Sequence, residues 1–230
     1  MICVICAMAE ERDAFVSLMD DIKIVKGKKV FYHGDVLDNK MIVGKLSGKD
    51  TVVVRSGVGK VYATMVAQEV IEKYKPEIVI NVGCAGSLNE NCHVGDVIVA
   101  DRLADWDVEV PGWERSITSD AISHSCDERF ISLAKKHKHV KVGNIVSGDS
   151  FIYRKAQVKT IKKYYPNALC CEMEGNAIAT VCYAHNVKVA VIRSISDETL
   201  VNGSFNEFYF YLEKVCKNAA KLCKEIIARY

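Results

Sequence analysis

The chain holds only three prolines and two tryptophans in 230 residues, and no linker, repeat or low-complexity segment interrupts it. Its length suits one large domain, 1–230, better than two. No apolar run is long enough to span a membrane, because the longest, Met1 to Ala9, stops at Glu10. That run also lacks the basic residues that open a signal peptide, and reads as a first strand. Extended basic tracts are missing too, and the net charge of +2 comes from acids and bases mixed along the chain. Neither nucleic acid nor a membrane is therefore an expected partner. With 50% hydrophobic and 26% charged residues, the composition is that of a soluble globular protein.

Cysteine, by contrast, is plentiful: ten residues, mostly embedded in apolar stretches such as those around Cys3, Cys6, Cys170, Cys171, Cys182, Cys216 and Cys223. Disulfide scaffolds are short, secreted and cysteine-dense, which this chain is not. Cys3-x-x-Cys6 falls inside the first strand rather than at a helix start, and no second pair completes a zinc site. The cysteines read as reduced, small hydrophobic residues in a cytoplasmic protein. The six histidines are scattered, with His93, His124, His137 and His139 in polar surroundings. Metal-based and histidine-based catalysis are not expected, and nothing calls for a cofactor.

Apolar periodicity predicts strands at Met1–Ala7, Lys28–Asp35, Met41–Ser47, Thr51–Ser56, Ile78–Val82, Val97–Ala100, Val140–Val146, Leu169–Cys171 and Val187–Ile192. Helices are predicted at Ala9–Met19, Gly59–Tyr74, Phe130–Lys136, Lys155–Tyr164, Gly175–His185 and Phe205–Ala228. The last of these is amphipathic, with Phe208, Leu212, Val215, Ala219, Leu222, Cys223 and Ile226 on one face. Strands alternating with helices predict an α/β fold, a mixed sheet with helices on both faces.

Ligands of open α/β sheets sit beyond the carboxyl ends of the strands. The residues there are Glu10 and Glu11, Ser56 to Gly59, Gly83 to Gly86, Phe151 and Ile152, Glu172 to Glu174, and Arg193 to Asp197. Carboxylates predominate, and Arg193 is the main positive charge. Ser56-Gly57-Val58-Gly59-Lys60-Val61 fails as a phosphate-binding loop, because Val54 replaces a required glycine and Val61 the magnesium-binding hydroxyl. Gly83-Cys84-Ala85-Gly86 does not have the spacing of a nucleophile elbow. What remains is acid–base chemistry of the kind that breaks a glycosidic bond, for which Glu11, Glu174 and Asp197 are the right residue types. Glu172, by the residues alone, is open to a structural or a functional role.

The chain resembles, nearly end to end, the 5′-methylthioadenosine/S-adenosylhomocysteine nucleosidases within the nucleoside phosphorylase family. The matching blocks are Ala7-Met8-Ala9-Glu10-Glu11, Ser56 to Val61, Ile80-Asn81-Val82-Gly83-Cys84-Ala85-Gly86, Val94-Gly95-Asp96-Val97, Ser147-Gly148-Asp149-Ser150-Phe151-Ile152, Glu172-Met173-Glu174 and Arg193-Ser194-Ile195-Ser196-Asp197. The resemblance implies a three-layer fold with a central mixed β-sheet flanked by α-helices, usually a homodimer. It also implies hydrolysis of the bond between adenine and ribose, in 5′-methylthioadenosine, S-adenosylhomocysteine and, as a further candidate, 5′-deoxyadenosine.

By position, the resemblance makes Glu11 the base that activates water and Asp197 the acid that protonates adenine N7. Glu174 and Met173 would hold the ribose hydroxyls, and Arg193 would position Glu174 and the water. Ile152 would read the adenine edge through its backbone, and Phe151 would pack on the base. Met8, Val58, Ala85, Gly86 and Ser196 are the other expected substrate contacts, and Phe205 matches an aromatic residue of the 5′ pocket. No metal is implied. The phosphorylase branch binds phosphate with basic residues near loops that here carry Glu10-Glu11 and Asn81 to Cys84, which points to water as the nucleophile.

Cys84 stands where the family usually has a small polar residue touching the catalytic water. The segments Ala104–Trp113 and 198–204 are shorter than usual, which bears on 5′ specificity more than on the reaction. A nucleoside phosphorylase of the same fold and a non-catalytic nucleoside-binding module are the alternatives.

Overall fold

Five apolar residues in succession form β1 (Ile2–Cys6), and all five are buried. The chain continues through α1 (Ala9–Val16), β2 (Asp20–Lys26), β3 (Val30–Tyr32), β4 (Asp35–Leu37), β5 (Lys40–Leu46) and β6 (Lys49–Arg55). Next come α2 (Lys60–Tyr74), β7 (Ile78–Ser87), β8 (Val97–Asp105), β9 (Ser123–Ser125), α3 (Glu128–Ala134) and β10 (Val140–Ser147). The remainder forms α4 (Lys155–Tyr164), β11 (Cys170–Glu172), α5 (Gly175–Ala184), β12 (Lys188–Glu198) and α6 (Phe205–Ile227). This computed structural model describes residues 1–28, 30–32, 35–37, 40–199 and 205–230, the side chains of 30–32, 35–37 and 205–207 excepted.

β1 lies between β6 and β7 and runs parallel to both. A strand covered on both faces reads as a continuous apolar run, which is why its sequence does not alternate. The strand order is β11-β10-β8-β12-β7-β1-β6-β5-β2, with β9 against β8. Antiparallel pairs, β12 with β8 and β5 with β6 and β2, make the sheet mixed. β11 also pairs antiparallel with β7, Cys170 opposite Ser87 and Cys171 opposite Gly86. Strands β7, β12, β8, β10 and β11 thus close on one another, bringing β11 to the end of β7.

Residues alternate between the two faces of β1. Ile2, Val4 and Cys6 join a core cluster with Phe15 of α1 and Leu212, Cys216 and Ile226 of α6. Cys3 and Ile5 join a second cluster with Val66 and Val70 of α2 and Ile178 and Cys182 of α5. The result is the expected three-layer arrangement, a central mixed sheet flanked by helices. Each fully buried aliphatic side chain contributes about 1.5–3 kcal/mol. These two clusters therefore hold the layers together, and the polar groups at the strand ends are left to position one another.

Several boundaries differ from those that periodicity predicts. β2 has no counterpart among the predicted strands: its residues are mostly exposed, so it lacks an apolar pattern, and pairing with β5 makes it a strand. It also cuts the first helix short at Val16. The single strand expected over Lys28–Asp35 is two, β3 and β4, which pair antiparallel.

Candidate active site

β7 and β12 run in parallel along their whole lengths, from Ile78 opposite Lys188 to Ser87 opposite Glu198. Gly83–Gly86 and Arg193–Asp197, expected beyond the strand ends, are instead the distal halves of these two strands. The pairing slips once: Ile195 opposes Ala85 and Asp197 opposes Gly86, leaving Ser196 as the extra residue. A bulge of this kind breaks the alternation of a strand. Two consecutive residues, Ser196 and Asp197, consequently line the same cavity.

The cavity has a volume of about 320 Å³. Met8, Glu11, Val58, Cys84, Ala85, Gly86, Phe151, Ile152, Met173, Glu174, Ser196 and Asp197 all line it. Arg193 does not; it is buried behind Glu174. Phe205 opens α6, and its side chain lies outside the described residues, as does the segment 200–204.

Glu11 sits at the third position of α1, and is 4% exposed. Its Oε2 accepts the Ala7 N–H at 2.8 Å and the Met8 N–H at 3.0 Å, so the helix start holds the side chain rigidly. Its Oε1 accepts the Cys84 N–H at 3.1 Å and lies 3.4 Å from the Cys84 sulfur. Gly83 makes this approach possible, since a Cβ there would stand 2.5 Å from Glu11 Oε1. Burial pushes the Glu11 carboxyl above its ordinary range, and the Arg193 charge and these hydrogen bonds only partly offset it. Burial and the neighbouring Glu11 charge also drive the Cys84 thiol well above its ordinary value, so it stays protonated and a poor nucleophile.

Glu174 begins α5 and receives the Gly59 N–H on Oε1 at 2.9 Å. The Gly59 backbone, at φ 103°, thus serves a carboxylate and not a phosphate. Burial and the Glu172 charge raise the Glu174 carboxyl above its usual range, and Arg193, 3.6 Å away, works against them. The Arg193 guanidinium is 1% exposed and contacts Glu172 and the Asn81 side-chain oxygen. Burial opposes its charge, yet Glu172, Glu174 and Glu11 together push its pKa up.

Asp197 is 1% exposed, and its Oδ1 accepts the Ser196 hydroxyl at 2.8 Å. The Ser196 hydroxyl also lies 3.2 Å from the Ala85 carbonyl, which ties the bulge to β7. Gly86 is a glycine for room: a Cβ there would stand 2.7 Å from Thr199 Cγ2 and 3.1 Å from Asp197 Oδ2.

Part of the apolar wall is not foreseen from the sequence. Phe208 and Tyr209 line the cavity from α6, and Phe208 meets Phe151 edge to face at 5.7 Å. The aromatic run at the start of α6 is the available signal, but helical spacing assigns Phe208 to the packed face alone. Ala7, Ser150 and Cys171 are the other lining residues not foreseen, and Glu172, open to either role by sequence, lines the cavity too. No Lys, Arg or His is among the described lining residues. Among the described residues there is also no group of three or more His, Cys, Asp or Glu side chains placed to hold a metal ion.

Four acids, Glu11 of α1, Glu172 of β11, Glu174 at the N-cap of α5 and Asp197 of β12, line one largely apolar cavity, an arrangement suited to acid–base cleavage of a bound molecule. The phosphorylase superfamily model matches residues 1–228. A 5′-methylthioadenosine/S-adenosylhomocysteine nucleosidase of Haemophilus influenzae (strain PittEE) is 35% identical over 236 residues, covering 98% of each chain. The crystal structure of a Streptococcus pneumoniae MTA/SAH nucleosidase in complex with 8-aminoadenine superposes with a TM-score of 0.89 at 29% identity, over 100% of this chain and 99% of that one. A Streptococcus pyogenes S-adenosylhomocysteine nucleosidase in complex with 5-methylthiotubericidin also gives 0.89, at 27% identity over 99% and 96%. The chain belongs to the phosphorylase superfamily, and within it to the 5′-methylthioadenosine/S-adenosylhomocysteine nucleosidases.

Proposed function

We propose that the protein hydrolyses the N-glycosidic bond of 5′-methylthioadenosine and S-adenosylhomocysteine, releasing adenine and the 5′-substituted ribose. The observation that carries this reading is the charge of the cavity: Glu11, Glu174 and Asp197 face it, and no basic side chain does among the described residues. Such a lining repels a phosphate and suits a sugar that becomes cationic as the bond breaks.

In this reading Glu11, rigidly held by backbone N–H groups, takes the proton of the attacking water. Asp197 brings a proton to adenine N7 as the base departs. Glu174 holds the ribose hydroxyls and, when ionised, favours the oxocarbenium-like transition state over the neutral substrate. Met173 walls the sugar. Ile152 presents its backbone to the adenine edge, and Phe151, braced by Phe208, packs on the base. Phe208 and Tyr209 extend the wall where α6 meets the cavity. Arg193 serves indirectly, holding the carboxylates around it.

Three further features belong to the proposal. Residues 1–230 act as one catalytic domain, as the near-complete family match supports. The protein is a homodimer, supported by Val61 and Met65 on the outer face of α2, which are 65% and 50% exposed. It works in the cytoplasm, supported by ten cysteines that are all free thiols.

A panel of adenosines varied at the 5′ position, assayed for free adenine, tests the assignment. Turnover is expected with 5′-methylthio and 5′-homocysteinyl groups. A panel cleaved only when phosphate is supplied would assign the protein to phosphorolysis instead.

A further inference from the structure

Glu172 has no part in the chemistry above, yet it is 7% exposed and fully engaged. Its Oε2 accepts the Glu174 N–H at 2.9 Å and the Gly175 N–H at 2.7 Å, and also contacts Arg193. Its Oε1 accepts the Ser147 hydroxyl, whose oxygen in turn accepts the Asn176 N–H at 2.9 Å. Successive N–H groups at the start of α5 are thereby satisfied from β11 and β10, where an ordinary helix uses its own N-cap side chain. Gly175 leaves room for this, because a Cβ there would come within 3.1 Å of Glu172 Oε1.

The N-cap residue of α5 is Glu174, and it makes no capping bond with its side chain. Its carboxylate reaches away to Gly59 instead. One guanidinium stands between two buried carboxylates, in contact with Glu172 and 3.6 Å from Glu174. A buried cation that loses one partner is left with a costly uncompensated charge, which favours a closer approach to the carboxylate that remains.

We propose that Glu172 is a positioning residue: it caps α5 in place of Glu174 and holds Arg193, so that the Glu174 carboxylate stays turned to the sugar side of the cavity. The identity of that ligand rests on the nucleosidase reading. Removing the Glu172 charge releases Arg193 toward Glu174 and weakens contacts to the sugar while sparing those to the base.

The test compares two ligands by calorimetry on wild type and Glu172→Gln, which keeps the shape and loses the charge. The ligands are adenine and 5′-methylthiotubercidin, a nucleoside analogue with carbon in place of N7. The variant is expected to bind the nucleoside about tenfold more weakly, an ~1.4 kcal/mol loss, with adenine affinity within about twofold. Glu172→Asp, which keeps the charge, is expected to recover part of the difference. In turnover, the acid limb of kcat/KM is expected to move to lower pH in Glu172→Gln, since the Glu172 charge is one of the groups that raise Glu174. Equal weakening of both ligands, including their joint loss in an unfolded variant, would overturn the proposal, as would no weakening of either. A wild-type protein that binds both ligands but cleaves no nucleoside would refute the nucleosidase reading alone, since the affinity ratio still judges Glu172.

Discussion

Glu11 Oε1 accepts the backbone N–H of Cys84 at 3.1 Å and has the Cys84 sulfur 3.4 Å away. The backbone bond does not depend on the thiol, which is kept protonated by burial and by Glu11 itself. Cys84→Ser is therefore expected to cleave the same bond at a rate within about tenfold of wild type, a hydroxyl being the stronger donor. Steady-state adenine release measures this, and intact-protein mass spectrometry during turnover is expected to show no adduct. Abolished turnover in the variant, together with a covalent adduct on Cys84 in wild type, would make the thiol a nucleophile.

Removing either proton-transfer group is expected to lower turnover steeply. Glu11→Gln and Asp197→Asn should each reduce kcat by about 10²–10⁴-fold. Glu11→Gln should still bind adenine, because the role proposed for Glu11 is on the water and not on the base. Near-wild-type adenine release from either variant would remove that residue from the mechanism.

The pH profile follows from the burial of Glu11. A base works in its deprotonated form, and burial raises the pKa of this carboxyl. Activity should consequently be lost as pH falls through a value above the ordinary 4.5. Glu174, shifted in the same direction, steepens the same limb if it must be ionised to hold the sugar. The check is kcat/KM against pH, with the limb moving or disappearing in Glu11→Gln. An acid limb at or below 4.5 would contradict the assignment of Glu11 as base.

Gly83 is predicted to be intolerant of even one methyl group. Its added Cβ would meet Glu11 Oε1 at 2.5 Å, so the carboxylate or β7 must move. Gly83→Ala should lower kcat about 10²-fold, the loss that small displacements of catalytic groups produce. Circular dichroism and a thermal melt would verify that the fold persists. Unchanged turnover would show that Glu11 tolerates displacement.

Much of this arrangement is legible in the amino-acid sequence. β1 announces itself because a strand buried on both faces is apolar without interruption, and the first half of β7 does so with Asn81 as its one polar residue. The predicted helix Lys155–Tyr164 coincides with α4 to the residue, as its polar and apolar positions fall at helical spacing. The chemical types of Glu11, Glu174 and Asp197 indicate acid–base work, and the family blocks suggest the roles proposed for them. The distal halves of β7 and β12 read as loops because small and polar residues there, Gly83, Ser194 and Ser196, carry no apolar pattern. Their strand character comes from pairing with each other, which single-chain periodicity does not record. The bulge at Ser196, which turns Asp197 into the cavity, is invisible for the same reason. Glu172 is ambiguous by sequence because its role depends on Ser147 and Arg193, distant along the chain and adjacent in space.

In the proposed function, the carboxylate-lined cavity, with no basic side chain among its described lining residues, selects water and not phosphate as the acceptor of the ribosyl group. The decisive measurement incubates the protein with 5′-methylthioadenosine in buffer freed of phosphate and quantifies adenine together with the sugar product. Full-rate adenine release is predicted, with free 5-methylthioribose as co-product and no acceleration when phosphate is added. Adenine release that requires phosphate and yields a sugar 1-phosphate would contradict it.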